Sequence, residues 1–203
     1  MKHRHFFLLI FSLLSFIFGT FSQSFTQHTT TKPSKGKILF VVTSHGVKGN
    51  TGKPTGYYLS EVAHPWKVLT DAGYTIDFVS PKGGNPPVDG FDLKDPVNKE
   101  FWEDAVYHSK IEHSMKPAEV NPSEYVAIHF AGGHGAMWDL PDNEVIAEIA
   151  AKIYEQNGVV SAVCHGPAGI VNIKLSNGTY LISGKKVNGF TNEEEEAAGL
   201  TDV

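Results

Sequence analysis

From residue 37 onward, short unbroken apolar runs alternate with longer stretches in which apolar residues return every third or fourth position. KILFVVTS (37–44), rich in β-branched residues, predicts a strand buried on both faces, because a strand with one wet face would alternate. A Gly/Thr/Lys/Pro loop follows at 45–56. Leu59, Val62, Ala63, Trp66 and Leu69 then recur at helical spacing and stop at Asp71-Ala72-Gly73, where glycine can end a helix. YTIDFVS (74–80) predicts a second strand. Strand, helix and strand in this span make a βαβ unit, which implies parallel strands joined by a right-handed crossover.

Residues 81–123 break the rhythm with PKGGNPP and scattered aromatic and charged positions. They predict an insertion that covers a site and holds a helix around 97–108. YVAIHFAGG (125–133) resumes the buried-strand pattern and ends in a glycine pair. Asp142 precedes a helix whose apolar face is Val145, Ile146, Ile149, Ala150 and Ile153. VVSAV (159–163) predicts the next strand, and GPAGIVNI (166–173) a helix with Pro167 in its first turn. An Asn177-Gly178 turn leads to expected strands at 179–182 and 186–190. The order β-α-β, insertion, β-α-β-α-β is that of a doubly wound, mainly parallel α/β sandwich. Chemistry in such a sheet gathers outside the carboxyl ends of the strands, where the loops 43–58, 131–141 and 164–167 arrive.

The first residues follow a different pattern. MKHRHFFLLIFSLLSFIFGTFSQS has a basic start (Lys2, Arg4), an apolar run from Phe6 to Phe18 and then small or polar residues, the layout of a secretory signal peptide. The run is shorter than the roughly twenty residues that span a bilayer, which favours cleavage near Ser22 and export over an uncleaved anchor. Residues 1–22 are thus expected to be a signal peptide, 23–36 a polar linker and 37–203 one domain. The net charge of the 203-residue chain is −5, and its 17 basic residues cluster on no one segment, so a nucleic-acid-binding surface has no support. With one cysteine there is no internal disulfide, and a lone thiol in an oxidising compartment must be buried or used.

That cysteine is Cys164, in VVSAVCHGPAGI. Free cysteines in apolar surroundings usually serve as small core residues. Here the thiol lies between a strand and the Gly166-Pro167 start of the next element, where a sharp turn would push the sulfur out, the geometry of a nucleophile elbow. A helix amino terminus at that point would also lower the thiol pKa. His165 can offer its backbone N–H to an oxyanion and its ring to proton transfer. Gly132 and Gly133 let the backbone approach a substrate and supply further N–H donors. Glu61, early in the first helix, would have a raised pKa in a dry site and could donate a hydrogen bond to sulfur.

AVCHGPAG (162–169), AGGHGAMWDLPD (131–142), TGYYLSEVAHPW (55–66) and NGFTNEEEEAAGLTDV (188–203) together resemble the DJ-1/PfpI superfamily, whose fold is like that of class I glutamine amidotransferases. More narrowly they resemble its Hsp31-like branch of glutathione-independent glyoxalases, also described as D-lactate dehydratases and stress chaperones. The resemblance covers Lys37 onward. It implies Cys164 as nucleophile, His165 as its partner, Glu61 as the acid touching the thiol, and Gly133 with the His165 N–H as oxyanion donors. The acidic partner of the pair falls in FTNEEEE, where Glu195 is favoured over Glu194 and Glu196. The implied substrate is a small 2-oxoaldehyde such as methylglyoxal, handled without metal or organic cofactor, and the implied assembly is a homodimer. Members of the branch continue past the LTDV segment, so the chain is expected to lack a closing helix and strand.

Two other readings compete. A cysteine hydrolase of amidase or peptidase type would use the same elbow, but the later histidine that glutaminase action needs is absent, since no histidine follows His165. A non-enzymatic stress chaperone or thiol sensor predicts ready oxidation of Cys164 without aldehyde turnover. His108, His113, His129 and His134 are spaced too loosely to specify a metal site. Asn177-Gly178-Thr179 matches a glycosylation acceptor, but an Asn-Gly turn explains it.

Overall fold

The computed structural model describes residues 34–203. The signal peptide expected at 1–22, and the linker 23–36 except for its last three residues, lie outside the described residues. No helix among the described residues is long and apolar enough to cross a membrane.

In chain order the elements are β1 (Lys37–Val41), β2 (Tyr57–Tyr58), α1 (Leu59–Asp71), β3 (Thr75–Val79), β4 (Val88–Asp89), α2 (Pro96–Glu103), α3 (Ala105–Glu112), β5 (Tyr125–Phe130), α4 (Ala136–Asp139), α5 (Glu144–Glu155), β6 (Val159–Ala162) and α6 (Asn192–Ala198). Four strands form one parallel sheet in the order β3-β1-β5-β6, and β2 and β4 pair as a separate two-stranded piece. Side chains alternate across a strand, so the unbroken apolar run of β1 feeds two cores. Leu39 and Val41 pack with Ile128, Phe130 and the α5 residues Ile146, Ile149 and Ile153. Ile38 and Phe40 pack on the opposite face with Val62, Trp66, Phe101 and Ile111 from α1, α2 and α3. The sandwich expected from the sequence is therefore present: a parallel sheet flanked by helices.

Phe130 is fully buried in the first core and lies against Gly169 beneath the turn that carries Cys164. Phe130→Ala is expected to remove about 3–5 kcal/mol of stability. Urea denaturation would show this as a lower midpoint at unchanged slope.

Several expectations are corrected. The helix expected at 97–108 is two helices meeting at Asp104, whose extended backbone ends α2 while its carboxylate accepts hydrogen bonds from Val106 N (3.0 Å) and Tyr107 N (2.9 Å) to start α3. Both helices belong to a helical layer, with Phe101 edge-on to Trp66, so most of the 81–123 insertion is packing and not a cover. The helix after Asp142 is α5, capped by Asn143, which accepts from Ile146 N at 3.0 Å. GPAGIVNI makes only a 3₁₀ turn, Gly166–Gly169. Neither 179–182 nor 186–190 joins the sheet. The first folds back over the Asn177-Gly178 turn, with Leu181 N donating to Ile173 O and Leu175 N to Thr179 O, and in the second Val187 is more than half exposed with no apolar surface to cover.

Candidate active site

Successive parallel strands send their chains to opposite faces at β1 and β5, since α1 covers one side and α5 the other. This opens a crevice at the carboxyl ends of the sheet. Glu61 reaches it from the first turn of α1, Gly132 and Gly133 from the exit of β5, and Cys164 from the exit of β6.

Cys164 has φ +55°, a left-handed conformation that ordinary side chains avoid. A residue so held costs about 1–3 kcal/mol and persists only where its surroundings enforce it. Here Gly166 N bonds to Val163 O at 2.7 Å, and Phe190 N bonds to Cys164 O at 2.9 Å, clamping the turn from both sides. The half-buried sulfur lies 3.2 Å from His165 Nδ1 and receives the backbone N–H groups of Gly133 and His165, while the Glu61 carboxyl hydrogen-bonds it from α1.

Gly132 holds a different position from the one expected. Its N–H donates to Glu61 Oε2 at 2.8 Å, so it fixes the acid, and the amides turned toward sulfur are those of Gly133 and His165. A Cβ on Gly132 would come within 2.5 Å of Glu61 Oε2 and 2.8 Å of both Cys164 Cβ and His165 N. Only a bare α-carbon lets these three groups converge.

His165 is 3% exposed and held on every side. Its ring stacks on Phe190 (centroids 4.3 Å, 29°) and also meets His134 (4.2 Å, 41°), which is itself edge-on to Phe190, while Nε2 stands 2.6 Å from Glu195 Oε1. The acidic run of α6 is sorted by its cap. Thr191 Oγ1 accepts from Glu194 N at 3.2 Å and Glu194 Oε2 accepts from Thr191 N at 2.7 Å, a capping box that turns Glu194 outward. Glu195, one position on, faces inward, and Glu193 and Glu196 are exposed. The structure thus joins Cys164, His165 and Glu195 in one hydrogen-bonded line with Glu61 on the far side of the sulfur.

The electrostatics also depart from expectation. A four-residue 3₁₀ turn carries little dipole, and burial, followed by the charge of Glu61, pushes the Cys164 thiol up to about 11 against the pull of the two amides. Burial likewise raises the Glu61 carboxyl above the usual carboxylate range, opposed by its hydrogen bonds to Cys164 and Gly132. The two groups compete for one negative charge in a partly desolvated place. Burial, reinforced by His165, keeps His134 below the usual histidine range.

Sequence reasoning missed two contributors, His134 and Phe190. Both lie inside motifs that pointed to the site, AGGHG and NGF, but neither has a local signal for ring contact with a residue tens of positions away.

A family model described as the DJ-1/PfpI family matches residues 54–198. The chain is 33% identical over 174 residues to glyoxalase 3 of Candida albicans, covering 82% of this chain and 74% of that one. It is 33% identical over 180 residues to the glutathione-independent glyoxalase HSP31 of Saccharomyces cerevisiae, covering 82% and 73%. Among solved structures, Rapid Encystment Protein 24 kDa of Francisella tularensis superposes with a TM-score of 0.78 at 44% identity, covering 83% of this chain and 76% of that one. Glyoxalase III of C. albicans superposes with a TM-score of 0.75 at 32% identity, covering 82% and 73%. With a parallel sheet, a strained cysteine at a strand exit and these relatives, the chain belongs to the DJ-1/PfpI family.

Proposed function

We propose that this protein is a glutathione-independent glyoxalase that converts a small 2-oxoaldehyde of the methylglyoxal type into the corresponding D-2-hydroxy acid, as a lyase of the D-lactate dehydratase kind. One observation carries the reading: Cys164 Sγ is strained out of its turn between a base-capable ring at 3.2 Å and a protonatable Glu61, with two backbone amides beside it. A thiol supplied by the protein in this setting replaces the thiol that glutathione would bring.

The chemistry follows from the placement. His165 Nδ1 takes the thiol proton, and the sulfur adds to the aldehyde carbon to give a hemithioacetal whose oxygen is met by the Gly133 and His165 N–H groups. Glu195, at 2.6 Å from Nε2, supports the positive ring that results. Glu61 then moves the proton from the former aldehyde carbon to the neighbouring carbonyl carbon, while His165 gives the thiol proton to that carbonyl's oxygen, leaving a thioester of the 2-hydroxy acid. Water cleaves the thioester, returning the thiol and releasing the acid, so that one water is added overall and nothing is oxidised or reduced in net terms. The relatives named as glyoxalases support this reading over the hydrolase and thiol-sensor alternatives.

The test is D-lactate release from methylglyoxal by the reduced protein without glutathione. Turnover supports the assignment, and a folded, reduced protein that releases none overturns it. Within the acidic run, Glu195→Gln is expected to lower kcat about 10²-fold by loosening the ring that must hold its geometry. Glu194→Ala should leave kcat near wild type and lower stability by about 0.5–2 kcal/mol through the lost capping-box contact to Thr191 N. Steady-state kinetics and thermal unfolding of the two variants check this pair. For the first residues we propose export directed by 1–22, tested by the amino terminus of the protein recovered outside the cytoplasm.

A further inference from the structure

Three groups meet at the end of the site away from the sulfur: His134 Nε2, His165 Nε2 and the Glu195 carboxylate, all within 4.8 Å of one another. Two of their atoms are unsatisfied. His134 Nε2 and Glu195 Oε2 are buried without a hydrogen-bond partner among the described residues, although they stand 3.4 Å apart. A buried donor or acceptor left in this state is costly and calls for an account.

The proposed reaction uses His165 Nε2 and Glu195 Oε1 and leaves the remaining pair idle. We propose that His134, His165 and Glu195 form a binding site for a Zn²⁺-like divalent cation, and that the bound cation inhibits the enzyme by taking both ends of the His165–Glu195 hydrogen bond.

The donor set suits this class of ion. Two imidazoles and one carboxylate are ligands that zinc accepts, with a fourth position left to water. Zn²⁺ bonds of about 2.0–2.2 Å at tetrahedral angles put neighbouring ligand atoms roughly 3.3 Å apart. His134 Nε2 and Glu195 Oε2 are already at 3.4 Å, and the 2.6 Å contact of His165 with Glu195 has only to open as an ion replaces its proton. The ring proton of His165 then resides on Nδ1, which faces Cys164 Sγ at 3.2 Å. This gives the ligating ring the outer hydrogen-bond partner that metal-binding histidines normally have. Access is through a cavity of about 220 Å³ lined by His134, Glu195, Lys48 and Trp138. Lys48, the cation in that lining, is paired with Asp89 at 3.4 Å.

Zn²⁺ binding is independent of the glyoxalase reading, whereas the inhibition rests on it. The experiment titrates chelator-stripped protein with Zn²⁺ against a chromophoric competing chelator. The wild type is expected to take up one equivalent, with affinity falling about tenfold or more in both His134→Ala and Glu195→Gln and persisting in Cys164→Ser. Thermal unfolding of each variant without metal shows that it is folded. Co²⁺ in place of Zn²⁺ should give ligand-field bands without a thiolate charge-transfer band. Zn²⁺ should suppress D-lactate release by the wild type, and chelator should restore it. Failure of the wild type to take up Zn²⁺, equal uptake by the folded His134→Ala protein, or loss of uptake in Cys164→Ser would each overturn the site. Uptake by a protein inert toward methylglyoxal would leave the site standing and remove only the glyoxalase reading.

Discussion

Cys164→Ala is expected to lower D-lactate release from methylglyoxal by at least about 10⁴-fold, equivalent to about 5.5 kcal/mol of transition-state stabilisation. The loss is large because the covalent route disappears. His165, Glu61 and the two amides remain, but none can replace the thiol as a nucleophile that later leaves. Alanine keeps a β-carbon and therefore keeps the strain at φ +55°, so the melting temperature should barely move. Cys164→Gly should be equally inactive yet more stable, by about 1 kcal/mol, because glycine takes left-handed backbone without penalty. Inactive alanine and glycine proteins, with the glycine form melting higher, would show that the fold holds this residue in a conformation it resists for the sake of the sulfur. Turnover retained by Cys164→Ala would sink the covalent mechanism outright.

The outline of the fold was legible because its central strands are buried on both faces. β1 and β5 cannot hide their backbone polarity except in a sheet, and cannot cover two faces except with helices, so an unbroken apolar run was enough. The segment 186–190 carries a similar short apolar pattern and is no strand: its Val187 is more than half exposed, and Phe190 N bonds to Cys164 O in the elbow instead of to a strand of the sheet. The break at Asp104 was harder to see. Aspartate is only a few tenths of a kcal/mol poorer in a helix than its neighbours, and what decides the break is one carboxylate that finds two free N–H groups.

The site was legible in proportion to how local it is. The elbow at Cys164 follows from a strand meeting a Gly-Pro turn. Choosing Glu195 among four glutamates depends on Thr191 and Glu194 closing a capping box, which fixes the helical phase of α6 and turns only the next residue toward His165. The thiol pKa was misjudged because its main causes, burial and Glu61, come from packing and from a residue about a hundred positions earlier, and no reading of the 164–169 segment contains them. His134 illustrates the same limit, since its meeting with Glu195 depends on two loops leaving different elements.

Glu61→Gln is expected to separate two effects that usually travel together, making the thiol more acidic while making the enzyme slower. Glutamine has nearly the same shape and still offers an oxygen to Gly132 N, so the backbone that presents Gly133 should stay in place. It cannot ionise. Burial, followed by the Glu61 charge, raises the Cys164 thiol to about 11, so removing that charge must bring the thiol pKa down. The rate of alkylation by iodoacetamide, followed against pH, should therefore show its inflection at lower pH in the variant than in the wild type. Turnover should nevertheless fall by about 10²–10⁴-fold, the usual contribution of a positioned acid or base, since an amide cannot carry the proton between the two substrate carbons. An unmoved inflection would mean that the charge of Glu61 does not reach the sulfur. A lowered inflection with undiminished turnover would transfer the carbon-to-carbon proton step to His165 and leave Glu61 as a hydrogen-bonding prop. The predicted combination, a more reactive thiol in a poorer enzyme, is difficult to obtain from general damage to the site, because loosening the packing would admit water and would not selectively remove the one step that needs an exchangeable proton.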